Sequence, residues 1–173
     1  MRAGLLAIAV VLLCAGPALA QKSKTPQAVA ALEVCELFAG GNVLAVDDAA
    51  ARGWNAYEQD SESPYVRRFT ATRTLPGIGE ADLFGLIEDY PQATFGYCRI
   101  DVLSPPVGKG EAQISAIEQL DRYEGTSQTI EGGTFASLRG TDTDNTTLLL
   151  AHWSEADFVL QLTTITPKPS PKP

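Results

Sequence analysis

The 173-residue chain holds a single histidine, one methionine and three cysteines, and its 13 basic residues are outnumbered by 21 acidic ones. Each shortage removes a class of function. With His152 as the only imidazole, every histidine-dependent mechanism has to use it, and no serine lies in a Gly-x-Ser-x-Gly elbow to serve as its nucleophile. The net charge of −8 argues against nucleic acid or an anionic membrane as the main partner, because both demand a basic face. No Cys-x-x-Cys pair is present, which removes the usual dithiol redox centre. Past the first twenty residues no stretch is apolar enough to span a bilayer.

The acidic residues are plentiful but not arranged for chemistry. Asp142, Asp144 and Asn145 resemble the opening of a calcium loop, yet an EF-hand counted from Asp142 needs Gly and Glu where Thr147 and Trp153 stand. They read as an Asx-rich turn. Asp47-Asp48, Glu88-Asp89 and Asp121 with Glu124 sit at helix starts, turns or helix surfaces, and nothing makes two carboxylates converge across a cleft. Pro76-Gly77-Ile78-Gly79 is too short and apolar for a phosphate loop, and Asn145-Thr146-Thr147 is a formal glycosylation sequon that matters only in a host with that machinery. No catalytic residue, metal or cofactor is expected.

What is present first is an address. Arg2, the apolar run Leu5 to Ala15 and the small-residue end Ala18-Leu19-Ala20 form the three parts of a cleavable export signal, with cleavage expected before Gln21. Leu13 stands where a lipidation site at Cys14 needs a small residue. The mature chain is then 153 residues with net charge −9, enough for one domain, and its location is periplasmic in a bacterium with an outer membrane and otherwise secreted. Cys35 and Cys98 remain as a pair and are expected to form a structural disulfide.

Periodicity predicts the order of elements. Thr25-Pro26 opens a first helix whose Ala28, Ala31, Leu32, Cys35, Phe38 and Ala39 recur at helical spacing, and Gly40-Gly41 ends it. A short second helix runs from Asp47 or Asp48 to Arg52. Three strands follow (65–75, 83–88, 94–103), then a helix from Glu111 to Glu124 with Gly125 as its stop. Three more strands end the domain: Thr129 or Thr134 to Arg139, Thr147 to Trp153, and Phe158 to Thr166. Connections this short require antiparallel pairing. The expected fold is therefore α+β, an antiparallel sheet of about five to six strands in the order ααβββαβββ, spanning residues 21–166 before a Pro-rich flexible tail, 167–173.

Alternation along the strand from Thr94 puts Cys98 on one face and Phe95, Tyr97 and Arg99 on the other. A Cys35–Cys98 bond would draw the first helix onto the Cys98 face and leave the second face uncovered. Arg139 is expected on that side, opposite Ala136 and Leu138, and Arg67 and Arg73 share a face of their own strand. These six residues form the candidate contact surface, since arginines and aromatics are enriched at interfaces. His152 shares parity with Leu148 and Leu150, which points it to the core. The function that follows is a non-enzymatic binding or interaction module for a protein or small ligand of the envelope. The alternatives are a small extracytoplasmic hydrolase using His152 and a structural accessory of the cell envelope.

Overall fold

The computed structural model describes residues 25–169; the expected export signal and the last four residues of the expected tail lie outside the described residues. Helix α1 (Gln27–Ala39) buries all six predicted stripe residues together with Val29 and Val34. It begins one residue later than expected, with Pro26 in the cap position and no side-chain cap bond. Helix α2 (Ala45–Ala51) is followed by four strands, β1 (Asn55–Gln59), β2 (Tyr65–Leu75), β3 (Gly79–Asp89) and β4 (Ala93–Leu103). Helix α3 (Gly110–Glu118) opens a second series of four, β5 (Tyr123–Ile130), β6 (Gly133–Gly140), β7 (Thr146–Ser154) and β8 (Asp157–Pro167).

All eight strands join one antiparallel sheet in the order β1-β2-β3-β4-β8-β7-β6-β5. The α+β class holds, but the sheet has eight strands rather than five to six, and the element order is ααββββαββββ. The two additional strands, β1 and β5, are the edges. Edge strands pair on one side only, so they carry little apolar patterning. Asn55–Gln59 has no buried residue, and in Tyr123–Ile130 only Tyr123 is buried. The predicted helix to Glu124 stops at Glu118, and Gly125, read as its stop, lies within β5 at φ +137°. At the other end β8 pairs Pro167 with Ala93, and the Lys168 amide donates to the Gln92 carbonyl, so the ladder runs into the expected tail.

The core lies on one side of this sheet. Cys98, Ile100, Leu149, Phe158, Leu160 and Leu162 are fully covered, with α1 against β3, β4 and β8 and α3 against β5 to β7. Two positions allow α1 to come this close. A Cβ on Gly96 would stand 1.9 Å from the Ala39 carbonyl oxygen, and one on Gly85 would stand 2.5 Å from the Phe38 ring. Between them Cys35 bonds Cys98 across the helix–sheet gap, 63 residues apart in sequence. Arg122 and Tyr123 both donate to the Glu36 carboxylate, so the start of β5 is tied to α1 as well. Burial is the main influence that raises the Tyr123 phenol's pKa, with the Glu36 charge adding to it.

Candidate functional face of the sheet

With every described helix on the Cys98 side, the opposite face has no helical layer. Cross-strand register arranges it in rows. One row reads Tyr57, Thr70, Phe84, Arg99, Gln161, Leu150, Ser137 and Thr126 from β1 to β5. Its neighbour contains Asp82, Asp101, Val159, His152, Phe135 and Gln128. Side chains of one parity stand together on a strand, so these rows are real surfaces and not isolated exposed residues.

A groove of about 670 Å³ runs over β4, β8, β7, β6 and β5, within the range of small-molecule sites. Leu150 and Val159 are among its apolar lining residues. Phe135 and His152, direct partners across β6 and β7, stack with centroids 4.3 Å apart and planes 7° from parallel. His152 Nδ1 lies 3.5 Å from Asp157 Oδ1, and Asp157 Oδ1 also accepts from Ser154 Oγ at 2.7 Å. The Ser154 oxygen in turn accepts the Ala156 and Asp157 amides, closing the β7–β8 turn.

Arg99 borders the groove. Its Nε and Nη2 donate to the Asp101 carboxylate at 2.7 to 3.0 Å, while Nη1 reaches Gln161 Oε1 only at 3.5 Å. The bonds to Asp101 raise the guanidinium pKa further above its ordinary value, against a smaller opposing effect of burial. Arg99 therefore stays charged, with that charge matched by its neighbour and one donor weakly used.

Phe95, Tyr97, Arg99 and Arg139 all have the parity of this face, the first three half-buried and Arg139 exposed. Of the four only Arg99 lines the groove. Arg67 and Arg73 lie on the helix side. Arg67 donates through Nε and Nη2 to Glu58 and through Nη1 to the Asn42 carbonyl, with its guanidinium carbon 5.3 Å above the Phe38 ring. Arg73 pairs with the buried Ala81 and stands beside Gly53. Their parity was legible, but the side of the sheet depends on where Phe69 and Ala71 pack, and both are in the core.

His152 also differs from expectation. Leu149, Ala151 and Trp153 point to the core, so Leu148, Leu150 and His152 face the groove side. The run Leu148-Leu149-Leu150 supplies a leucine to both faces, and only Ala151 and Trp153 break the tie. Phe135, Leu150, Asp157 and Gln161 were not singled out from sequence. The polar Ser137 and Arg139 in alternation with Ala136 and Leu138 carried the signal for Phe135.

Asp142 Oδ1 accepts the Asp144 amide and Oδ2 the Asn145 amide nitrogen, the Asx turn that the sequence suggests. These bonds, the backbone one foremost, hold its carboxyl below the usual range. Among the described residues no three His, Cys, Asp or Glu side chains converge as a metal set, and no helix is long and apolar enough to cross a membrane. No family model, curated protein or solved structure matches the chain.

Proposed function

We propose that this chain is an exported, non-enzymatic binding module whose uncovered sheet face is its ligand surface. The observation that carries this is the one-sided packing: three helices close one face, while the other keeps half-exposed Phe84, Phe135, Leu148 and Leu150 beside a groove edged by Arg99. Apolar side chains in contiguous rows have a desolvation energy to release when covered. A disulfide across 63 residues supports the export part of the reading, because such bonds persist in oxidising compartments.

The His152–Asp157 pair favours a second reading, a hydrolase. Against it stands the use of the adjacent Ser154 hydroxyl within its own turn, which leaves the imidazole without a positioned nucleophile among its hydrogen-bonded neighbours. Loss of any detected hydrolysis in His152→Ala would favour that reading.

A photo-crosslinking amino acid at Leu148, compared with one at exposed Glu111 on α3, tests the binding face in cells. A discrete adduct from position 148, absent from position 111 and lost on Phe135→Ala, is the expected result. Equal labelling from both positions, or no adduct from 148, would overturn the proposal.

A further inference from the structure

The groove has enough chemical character to specify a ligand class, given the binding face proposed above. Its span from β4 to β5 crosses four inter-strand gaps, about 19 Å. At the β6–β7 side, the Phe135 and His152 rings are stacked and Phe135 is partly exposed, a platform on which a flat ring can pack. The floor between is apolar, Leu150 and Val159. At the β4–β8 side, Arg99 Nη1 reaches Gln161 Oε1 at 3.5 Å, close to the limit of a hydrogen bond, with the Tyr97 hydroxyl also near the guanidinium.

Charge decides what the polar end of a ligand should be. Asp101 already matches the Arg99 cation with a bidentate set of bonds, so no uncompensated positive charge faces the groove there. Arg139 lies outside the groove lining, in the row of Tyr97, Thr163 and Leu148, across from Glu124. The groove's other formal charge is the Asp157 carboxylate, in a chain of net charge −8. An anion meets the Asp157 carboxylate and no free cation within the groove lining, and a cation meets like charge at the Arg99 end. An uncharged oxygen acceptor meets neither penalty.

We propose that the groove over β4, β8, β7, β6 and β5 binds a flat, uncharged aromatic carbonyl compound, its ring on the Phe135–His152 platform and its oxygen accepting from Arg99 Nη1.

The test is fluorescence titration of the disulfide-intact chain with the neutral naphthyl ketone prodan, with naphthoate and a naphthyl trimethylammonium salt as competitors. Prodan emission should shift to the blue and saturate, and neither charged competitor should displace it. Phe135→Leu, which keeps an apolar side chain but loses the ring, should weaken binding about tenfold. The Arg99→Met/Asp101→Asn double variant, which leaves no orphaned charge, should weaken prodan but not naphthalene itself. Circular dichroism confirms that each variant is folded. Displacement by either charged competitor, or wild-type prodan affinity in Phe135→Leu, overturns the proposal. If prodan does not bind while the cellular adduct at position 148 persists, the ligand class is wrong and the binding face stands. If neither is seen, both fall.

Discussion

Three consecutive leucines in β7 give the sharpest check on which face is free. Leu149 is fully buried on the helix side, whereas Leu148 and Leu150 are 46% and 49% exposed on the other. Leu→Ala removes three carbons, worth about 2.4 kcal/mol of transfer energy where burial is complete. At Leu149, between β6 and β8 and beneath the helices, the space cannot collapse freely, so a cavity term adds and the cost should reach about 3 to 4 kcal/mol. At Leu150 roughly half of the transfer term applies and no enclosed cavity forms, which gives about 1 kcal/mol. Urea unfolding of the two single variants, analysed at a common slope, measures the difference directly. Leu150→Ala should also weaken prodan binding, while Leu149→Ala should not change it when both are folded. Equal destabilisation by the two variants, or a larger loss at Leu150, would refute the assignment of faces and the binding surface with it.

The clamp between α1 and the sheet gives further expectations. Gly96→Ala forces a Cβ to within 1.9 Å of the Ala39 carbonyl oxygen, and the nearby Cys35–Cys98 bond restrains the helix from retreating. A loss of about 3 kcal/mol in urea is expected, and one below about 1 kcal/mol would show that the contact is looser than described. Replacing Cys35 and Cys98 together by Ala should cost about 4 kcal/mol by loop entropy, and a reductant should destabilise the wild type but leave this variant unchanged. The Arg67 hydrogen bonds hold the Glu58 carboxyl below its ordinary range. Its contribution is thus complete above the unfolded carboxylate pKa and lost as pH falls through the lower folded value. Because Glu58 is 42% exposed, the wild-type advantage over Glu58→Gln should be only about 0.5 kcal/mol at neutral pH and vanish in acid. An advantage that grows in acid would reverse the sign of this argument.

Strong local periodicity was readable, and weak or duplicated periodicity was not. The α1 stripe from Ala28 to Ala39 is apolar on one side at helical spacing, so its buried set followed from sequence. Strand β4 alternates through Phe95, Gly96, Tyr97, Cys98, Arg99 and Ile100, and its two faces followed as well. The edge strands escaped because a residue that pairs on one side and faces water needs no apolar side chain. In β5 the sequence Glu124-Gly125-Thr126 carries helix-stop chemistry, while the actual constraint is long-range: a Cβ on Gly125 would lie 2.6 Å from the Ser137 carbonyl oxygen of β6. Local signals do not contain that contact. The groove escaped for a related reason. Its lining comes from five strands, and their register is set by long-range pairings such as that of Arg99 with Gln161, 62 residues apart.

Arginine with an aromatic neighbour occurs on both sides of this sheet, so composition alone does not locate a binding surface. What distinguishes Arg67 and Arg122 from Arg99 and Arg139 is how fully their donors are used, although Arg73, also on the helix side, makes no ion pair within 4 Å among the described residues. On the helix side Arg67 spends Nε, Nη1 and Nη2 on Glu58 and Asn42 while covering Phe38, and Arg122 spends Nε and Nη2 on Glu36 beside Tyr123. Those groups fasten α1, the loop after it and β5 to one another. On the other side Arg99 keeps Nη1 nearly unspent, and Arg139 makes no ion pair within 4 Å among the described residues. Exposed apolar side chains in register with donors that no protein group satisfies are what the proposed ligand would cover. A fold selected only to be stable would gain by covering Phe135 and Leu150 or by replacing them with polar residues. Their presence beside the weakly used Arg99 Nη1 is the reason to test this face rather than Arg67 and Arg122 beneath the helices.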